Sequence, residues 1–324
     1  MRTTAGRHWR IGVDEAGYGP NLGPLAIGAT AWRVDGATDD PLYGRMANAV
    51  SAEATGDGRL HVADSKAVYK PGGGLAGLER AVLAAVAAGG EAATDWRSLL
   101  ASLGADPGGD HDRQPWRATH DPSLPVDADQ AGIAGAAARV AETAERAGVD
   151  PPRCFARLVF PTEFNALCQR HGTKGAALSH ATLGLVRRVL GAIGALDGGE
   201  PVRVTLDKHG GRNRYAGLVQ HWLPEAPIAV LEESRPASRY RVGDRIELTF
   251  RSKGEAALPV ALASMIAKLL REVSMRGFNA WWAEREPGLR PTAGYPVDAK
   301  RFKRDIAETQ QRLGVPDADL WRDR

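Results

Sequence analysis

Cysteine is nearly absent from this chain. Cys154 and Cys168 are the only two in 324 residues, and their spacing is not that of zinc ligands. A disulfide scaffold and a cysteine-based zinc site are therefore disfavoured, although a single bridge between the two remains an open alternative.

Long apolar runs are absent as well. No stretch reaches the roughly 18 apolar residues that a membrane-spanning helix needs. The first eight residues also lack the apolar centre of a signal peptide. We therefore expect a cytoplasmic protein with no membrane partner.

A strong excess of charge of either sign is missing too. The formal net charge is +3, and the sequence pI is about 8.9. Such a balance permits a nucleic-acid partner without demanding one. The basic cluster at residues 300–304 is by itself as compatible with a solvated helix face as with a binding surface.

Apolar patterning predicts strands that alternate with helices, which is typical of a layered α/β domain. The predicted strands cover 9–13, 25–34, 155–160, 202–206, 228–231 and 246–250. The predicted helices cover 75–88, 131–147, 176–193, 212–222 and 256–276.

The stretch 89–130 is rich in Gly, Pro, Asp and His, which favours a surface insertion that is partly disordered. Its histidine and aspartate residues allow a metal site, but a polar loop is the favoured interpretation. The residues in question are His111, Asp112, His120 and Asp121.

Two adjacent carboxylates, Asp14 and Glu15, end the first predicted strand and are followed at once by a glycine-rich turn. Adjacent carboxylates repel each other unless a proton or a cation lies between them. Mg²⁺ prefers oxygen ligands, so this strand end is a candidate metal site. A solvated loop is the alternative.

Two further acidic residues occupy informative positions. Asp207 ends a second apolar strand, where polar groups in open α/β sheets line the ligand crevice, although such a residue also serves in turns. Ser264, Lys268 and Glu272 form a polar stripe on the helix predicted at 256–276. A surface ion pair between Lys268 and Glu272 and a carboxylate above the sheet edge are both compatible with this spacing.

Several segments together resemble the type 2 ribonucleases H, the family of ribonuclease HII and its archaeal and eukaryotic relatives. The family begins with Asp-Glu-Ala-Gly-Arg-Gly-Pro and a further Gly-Pro, matched by 14–20 and 23–24 with Tyr18 in place of the arginine. The later family motifs are matched in the same order by Asp64-Ser65-Lys66, Val202 to Asp207, Lys253-Gly254-Glu255, 263–272 and Gly294-Tyr295.

This resemblance implies a ribonuclease H-like fold, an α/β structure whose mixed central sheet is flanked by helices and followed by a C-terminal helical region. It implies that residues 1–275 form the catalytic domain, with 89–150 as a partly flexible insertion. Residues 276–324 would then form a helical segment that completes the substrate groove. We expect a monomer.

The resemblance also implies a hydrolase, a metal-dependent endonuclease that binds nucleic acid. Family members cut the RNA strand of RNA–DNA hybrids, or cut 5′ to a ribonucleotide embedded in duplex DNA, leaving 3′-hydroxyl and 5′-phosphate ends. Two Mg²⁺ or Mn²⁺ ions would be held by four carboxylates that are both catalytic and metal-binding. By position these are Asp14, Glu15, Asp207 and Glu272.

The remaining motifs would contact the substrate. Backbone groups near Gly17, Tyr18 and Gly19 would reach the 2′-hydroxyl that distinguishes RNA from DNA, and Tyr295 would stack on the sugar. Backbone phosphates would be held by Ser65 and Lys66, contacts that carry no sequence information. Lys268 would either hold a phosphate in the same way or orient Glu272.

The chain departs from the family pattern at Tyr18, at Glu272 and at 208–211. These changes leave a second hypothesis open, a catalytically weak or inactive relative that only binds nucleic acid. Acidic residues at all four positions favour the enzyme.

Overall fold

The computed structural model describes residues 6–36, 41–105 and 114–323. Its strands are β1 (His8–Ala16), β2 (Leu25–Val34), β3 (Val50–Ser51), β4 (Leu60–His61), β5 (Arg153–Val159), β6 (Val202–Asp207), β7 (Ile228–Glu233), β8 (Ala237–Val242) and β9 (Ile246–Arg251). Its helices are α1 (Leu42–Arg45), α2 (Ser65–Val68), α3 (Ala76–Ala88), α4 (Trp96–Ser102), α5 (Pro115–Ala118), α6 (Gln130–Ala147), α7 (Pro161–His171), α8 (Lys174–Ala192), α9 (Ala216–Trp222), α10 (Leu258–Ala283), α11 (Pro296–Asp305), α12 (Ala307–Leu313) and α13 (Asp317–Leu320).

Seven of these strands form one mixed sheet in the order β5-β2-β1-β6-β9-β8-β7. The neighbours β1, β6 and β9 run parallel, whereas β2 and β5 on one side and β8 and β7 on the other pair antiparallel. The expected α/β class with a mixed central sheet flanked by helices is confirmed. The strand β8 was not predicted, and it pairs with β7 in a hairpin that widens the sheet.

Helices cover both faces of the sheet. The helix α10 packs across β1 and β2 on one face, and α8 and α9 cover the other. Gly12 and Gly28 permit the close approach of α10, since a Cβ atom at Gly12 would lie 2.1 Å from the carbonyl carbon of Pro259 and one at Gly28 would lie 2.2 Å from the carbonyl oxygen of Ala263.

The stretch 89–130 was expected to be a surface insertion, and the structure corrects this for its described part. Apolar side chains of α4 and α5 are buried because they pack against α10, β5 and the C-terminal helices. His111 and Asp112 lie outside the described residues. His120 packs near Trp96, and Asp121 accepts from the backbone N–H of Arg97; among the described residues neither belongs to a group of three or more His, Cys, Asp or Glu side chains that could hold a metal ion.

A C-terminal helical region is present, as expected. The helices α11 to α13 surround a small aromatic core built by Trp282, Phe278 and Phe302. Among the described residues, no helix has the length and apolar character required to cross a bilayer.

Candidate active site

Two carboxylates meet at one edge of the sheet because β1 and β6 run parallel. Val13 pairs with Leu206, so the next residue of each strand, Asp14 and Asp207, lies beside the other. Gly12 pairs with Thr205, and side chains alternate along a strand, so both carboxylates lie on the face that α10 covers. The strand β1 extends to Ala16, which puts Asp14 and Glu15 inside the strand and not in the turn after it.

Asp14 is held against α10. Burial raises the pKa of its carboxyl group, and a hydrogen bond from Ser264 opposes that rise. The charges of Asp207 and Asp64 raise the pKa further. Asp14 therefore lies on the same face as Ser264, the first residue of the polar stripe on α10.

Glu15 belongs to the same electrostatic group. Burial raises the pKa of its carboxyl group, and the charges of Asp14 and Asp207 add to this effect. Lys66 acts in the opposite direction. The three carboxylates therefore resist ionising together, as expected for groups that share a site.

A fourth carboxylate near Asp207 comes from Glu255. This residue lies in a short 3₁₀ turn, Gly254–Ala256, which follows β9 and packs on the end of β6. Burial raises the pKa of Asp207, the N–H groups of Lys208 and Gly254 lower it, and the charge of Glu255 raises it. Because β6 and β9 are parallel neighbours, their carboxyl ends meet at the same edge. The sequence pattern matched Lys253-Gly254-Glu255 to a family motif but gave Glu255 no role; its position just after the strand predicted at 246–250 is the signal that points to the site.

Glu272 does not join this group. It accepts a hydrogen bond from the Tyr69 hydroxyl at 2.8 Å and is paired with Lys268, whose ammonium lies 4.5 Å from the centre of the Tyr69 ring. Glu272 is eight residues beyond Ser264 on α10, about 12 Å along a helix axis. The polar stripe on α10 therefore starts at Ser264, beside Asp14, and runs away from Asp14 toward Glu272. The structure therefore gives no geometric support to Glu272 as the fourth carboxylate, and the carboxylate near Asp207 is that of Glu255.

The Asp-Ser-Lys segment lies against the site. Asp64 caps α2 by accepting from the N–H of Lys66, and the hydroxyl oxygens of Ser264 and Ser65 lie 3.1 Å apart. Lys66 lowers the pKa of both Glu15 and Asp207. One cation therefore faces the carboxylates from a separate element.

A glycine turn and an exposed tyrosine adjoin the carboxylates. Gly17 has φ of 85°, and a Cβ atom at Gly19 would lie 3.6 Å from the ring of Tyr295. The large aromatic side chain of Tyr295 is 56% exposed. Tyr18 points toward α8, where the Lys174 ammonium lies 4.9 Å from its ring centre.

The residues after Asp207 that depart from the family pattern have structural roles. Lys208 donates to Asn213 at 2.6 Å and to the carbonyl of Ser234 at 2.7 Å, so its ammonium is directed to the β7–β8 hairpin. His209 is buried, and its Nδ1 lies 3.0 Å from the hydroxyl of Ser179.

The carboxylates are not gathered into a finished coordination shell. Within 6–36, 41–105 and 114–323, no group of three or more His, Cys, Asp or Glu side chains is arranged so that it could hold a metal ion. Oδ1 of Asp207 is nevertheless buried without a hydrogen-bond partner among the described residues. A free carboxylate oxygen beside carboxylates that repel one another suits a hard divalent cation. The chemistry of the donor set, which consists of carboxylate oxygens, therefore fits Mg²⁺ or Mn²⁺.

Comparisons with known proteins find likeness only among solved structures. No family model and no curated protein matches this chain. The Archaeoglobus fulgidus ribonuclease HII solved with PCNA is 14% identical, with 97% of this chain and 94% of that chain covered and a TM-score of 0.42. The ribonuclease H2 of Pyrococcus horikoshii is 17% identical over 96% and 92%, with a TM-score of 0.44. Bst-RNase HIII in complex with Mn²⁺ is 15% identical over 98% and 67%, with a TM-score of 0.40.

Proposed function

We propose that this protein is a divalent-metal-dependent endoribonuclease of the type 2 ribonuclease H kind. It would cleave the RNA strand of RNA–DNA hybrids, or cleave 5′ to a ribonucleotide embedded in duplex DNA, leaving 3′-hydroxyl and 5′-phosphate ends. The observation that carries this proposal is the group of acidic side chains that three separate segments bring to one sheet edge, at Asp14, Glu15, Asp207 and Glu255.

These four carboxylates would hold the metal. When bound, the divalent ions would activate a water molecule and stabilise the departing 3′-oxygen. The carboxylates would offset the charge of the ions. Burial raises the pKa values of Asp14 and Glu15, and the charges of neighbouring carboxylates add to this rise when no cation is bound.

Other residues would seat the nucleic acid. Lys66 faces the carboxylates, so its ammonium is suited to a phosphate oxygen next to the scissile bond. The turn at Gly17 and Gly19 would bring backbone N–H groups to the 2′-hydroxyl, and exposed Tyr295 would stack on the sugar beside it. Lys268 would contact the strand farther along α10.

Four labelled duplexes of one sequence test the proposal: all DNA, all RNA, hybrid, and DNA with a single ribonucleotide. We expect cleavage of one or both of the last two with Mg²⁺ or Mn²⁺. Asp14→Asn and Asp207→Asn should each lower the rate at least about 100-fold, because each removes a charge that offsets the metal. Tight binding without cutting in the wild-type protein would favour a nucleic-acid-binding relative.

A matched pair of variants separates the two glutamates. Glu255→Gln should lower cleavage as strongly as Asp207→Asn, whereas Glu272→Gln should lower it less than about tenfold, since Glu272 is paired with Lys268. The opposite ranking of the two variants would return the fourth carboxylate to Glu272.

A further inference from the structure

The end of the chain packs directly on the turn that follows the carboxylates. The backbone N–H of Arg322 donates to the carbonyl of Asn21 at 2.8 Å, and the amide of Asn21 donates back to the carbonyl of Arg322 at 3.0 Å. Trp321 forms an isolated β-bridge with Leu22. Asn165 of α7 fixes this tail from behind, through the carbonyl of Trp321. The tail is therefore a fitted part of the fold.

The side chain of Arg322 reaches into the turn itself. It is 1% exposed, and its Nη2 donates to the carbonyl of Gly17 at 2.7 Å and to that of Pro20. Its guanidinium carbon lies 4.9 Å from the centre of the Phe164 ring. Burying a cation against carbonyl groups is costly, so a residue that only filled space would be cheaper as an apolar one.

Arg271 of α10 holds the other side of the same turn. Its Nη1 donates to the carbonyl of Pro24 at 2.6 Å, and its Nη2 donates to that of Leu22 at 3.3 Å. Arg271 lies in the segment 263–272 that resembles a family motif, whereas Arg322 lies in no such segment.

Because the peptide unit is planar, these contacts to carbonyl groups also set the direction of the N–H groups that follow them. In a trans peptide the C=O and the following N–H point in opposite directions. The hydrogen bond that Arg322 donates to the carbonyl of Gly17 therefore directs the N–H of Tyr18 away from Arg322. The hold on the carbonyl of Pro20 directs the N–H of Asn21 to the carbonyl of Gly294, at 2.7 Å, next to Tyr295.

We propose that Arg322 is a positioning residue for ribose recognition, which sets the Gly17–Pro20 turn and joins it to Tyr295. This inference rests on the proposed function, because it assigns the clamped turn to the 2′-hydroxyl. A misplacement of about 1 Å in such a contact can cost as much as 100-fold in rate.

The test compares Arg322→Lys with Arg45→Ala in the full chain. Lysine keeps the charge but replaces the planar guanidinium, whose Nη2 donates to both carbonyls, with a shorter ammonium group. Arg45 also donates to two carbonyls, those of Asp35 and Ala147, but at the opposite end of the sheet. We expect Arg322→Lys to lower kcat/KM on DNA with a single ribonucleotide at least about tenfold, with the affinity for all-DNA duplex within about twofold of wild type. Arg45→Ala should lower the Tm and leave both values within about twofold.

Hydrogen exchange of peptides covering residues 17–22 gives a readout that does not need activity. Exchange should accelerate in Arg322→Lys and stay at the wild-type rate in Arg45→Ala. Unchanged exchange together with an unchanged kcat/KM in folded Arg322→Lys would overturn the positioning role. If the wild-type protein cuts no duplex, the proposed function fails, whereas the exchange result still decides whether Arg322 sets the turn.

Discussion

Adjacent carboxylates at the end of β1 cost the metal-free protein stability. Asp14 and Glu15 have raised pKa values in the fold, mainly through burial. Unfolded, such groups ionise near their ordinary values of about 4. Between the ordinary and the raised values the folded chain binds more protons than the unfolded chain. The free energy of unfolding therefore falls as the pH rises through this interval.

Asp14→Asn should consequently stabilise the metal-free protein while it abolishes activity. Its Tm should exceed that of wild type by a margin that grows between about pH 4 and about pH 7, the ordinary and the raised pKa of Asp14, because only wild type must ionise this group. Added Mg²⁺ or Mn²⁺ should raise the Tm of wild type more than that of the variant. Thermal unfolding monitored by circular dichroism measures both effects, and an equal margin at both pH values would contradict the assignment.

At the scale of elements, contact between α10 and β1 sets the geometry of the site. Ser264 reaches Asp14 because the helix lies almost on the strand, and Gly12 is the residue that lets it do so. The strand contributes carboxylates, and the helix contributes a hydroxyl that lowers the pKa of one of them. If α10 lay farther from β1, the contact between Ser264 and Asp14 would be lost while the sheet stayed intact.

Gly12→Ala should destabilise the protein by about 3 kcal/mol or more, because the new methyl group would overlap the backbone of Pro259 and Val260. Gly135→Ala in α6 is the control, since its Cβ would meet open space and a helix gains roughly 0.5–1 kcal/mol from this change. Urea unfolding of the two variants provides the measurement. Equal stability of Gly12→Ala and wild type would mean that α10 packs less closely than described.

At the scale of the whole molecule, the described part of the stretch 89–130 is joined to the core by a buried carboxylate. Glu79 of α3 is 0% exposed and accepts from three backbone N–H groups, those of Val126, Asp127 and Ala128, at 2.6 to 2.9 Å. Asp127 in turn pairs with Arg276 of α10. The loop before α6 is thus tied to the helix that builds the site.

Glu79→Gln should cost about 2 kcal/mol, because an amide cannot accept all three of these bonds and leaves a buried donor unsatisfied. Cleavage by trypsin after Arg117 should accelerate as the loop loosens. Glu142→Gln on the exposed face of α6 is the control and should change stability by less than about 1 kcal/mol. Tryptic cleavage of Glu79→Gln at the wild-type rate would show that other contacts hold this stretch.

Local patterns determined much of the protein in advance. Alternating apolar segments predicted the class, six of the seven strands of the main sheet and the helices α3, α6, α8, α9 and α10, because burial of one face imposes a period on the sequence. Strand-end logic identified Asp14 and Asp207, since parallel strands expose their carboxyl ends at one edge. The composition of 89–130 misled, because its few large apolar side chains, such as Trp96 and Trp116, are buried by partners distant in sequence.

Only the tertiary structure decided which distant residues meet. On a helix the spacing of Ser264, Lys268 and Glu272 establishes a common face but not the point along the axis where the sheet edge lies. The sheet edge lies beside Ser264, so Glu272 lies farther along the helix and pairs with Lys268. The carboxylate that lies near Asp207 is that of Glu255, from the turn after β9. Arg322 carries no signal in the sequence at all, because its role depends on the path by which the end of the chain returns to the turn after β1.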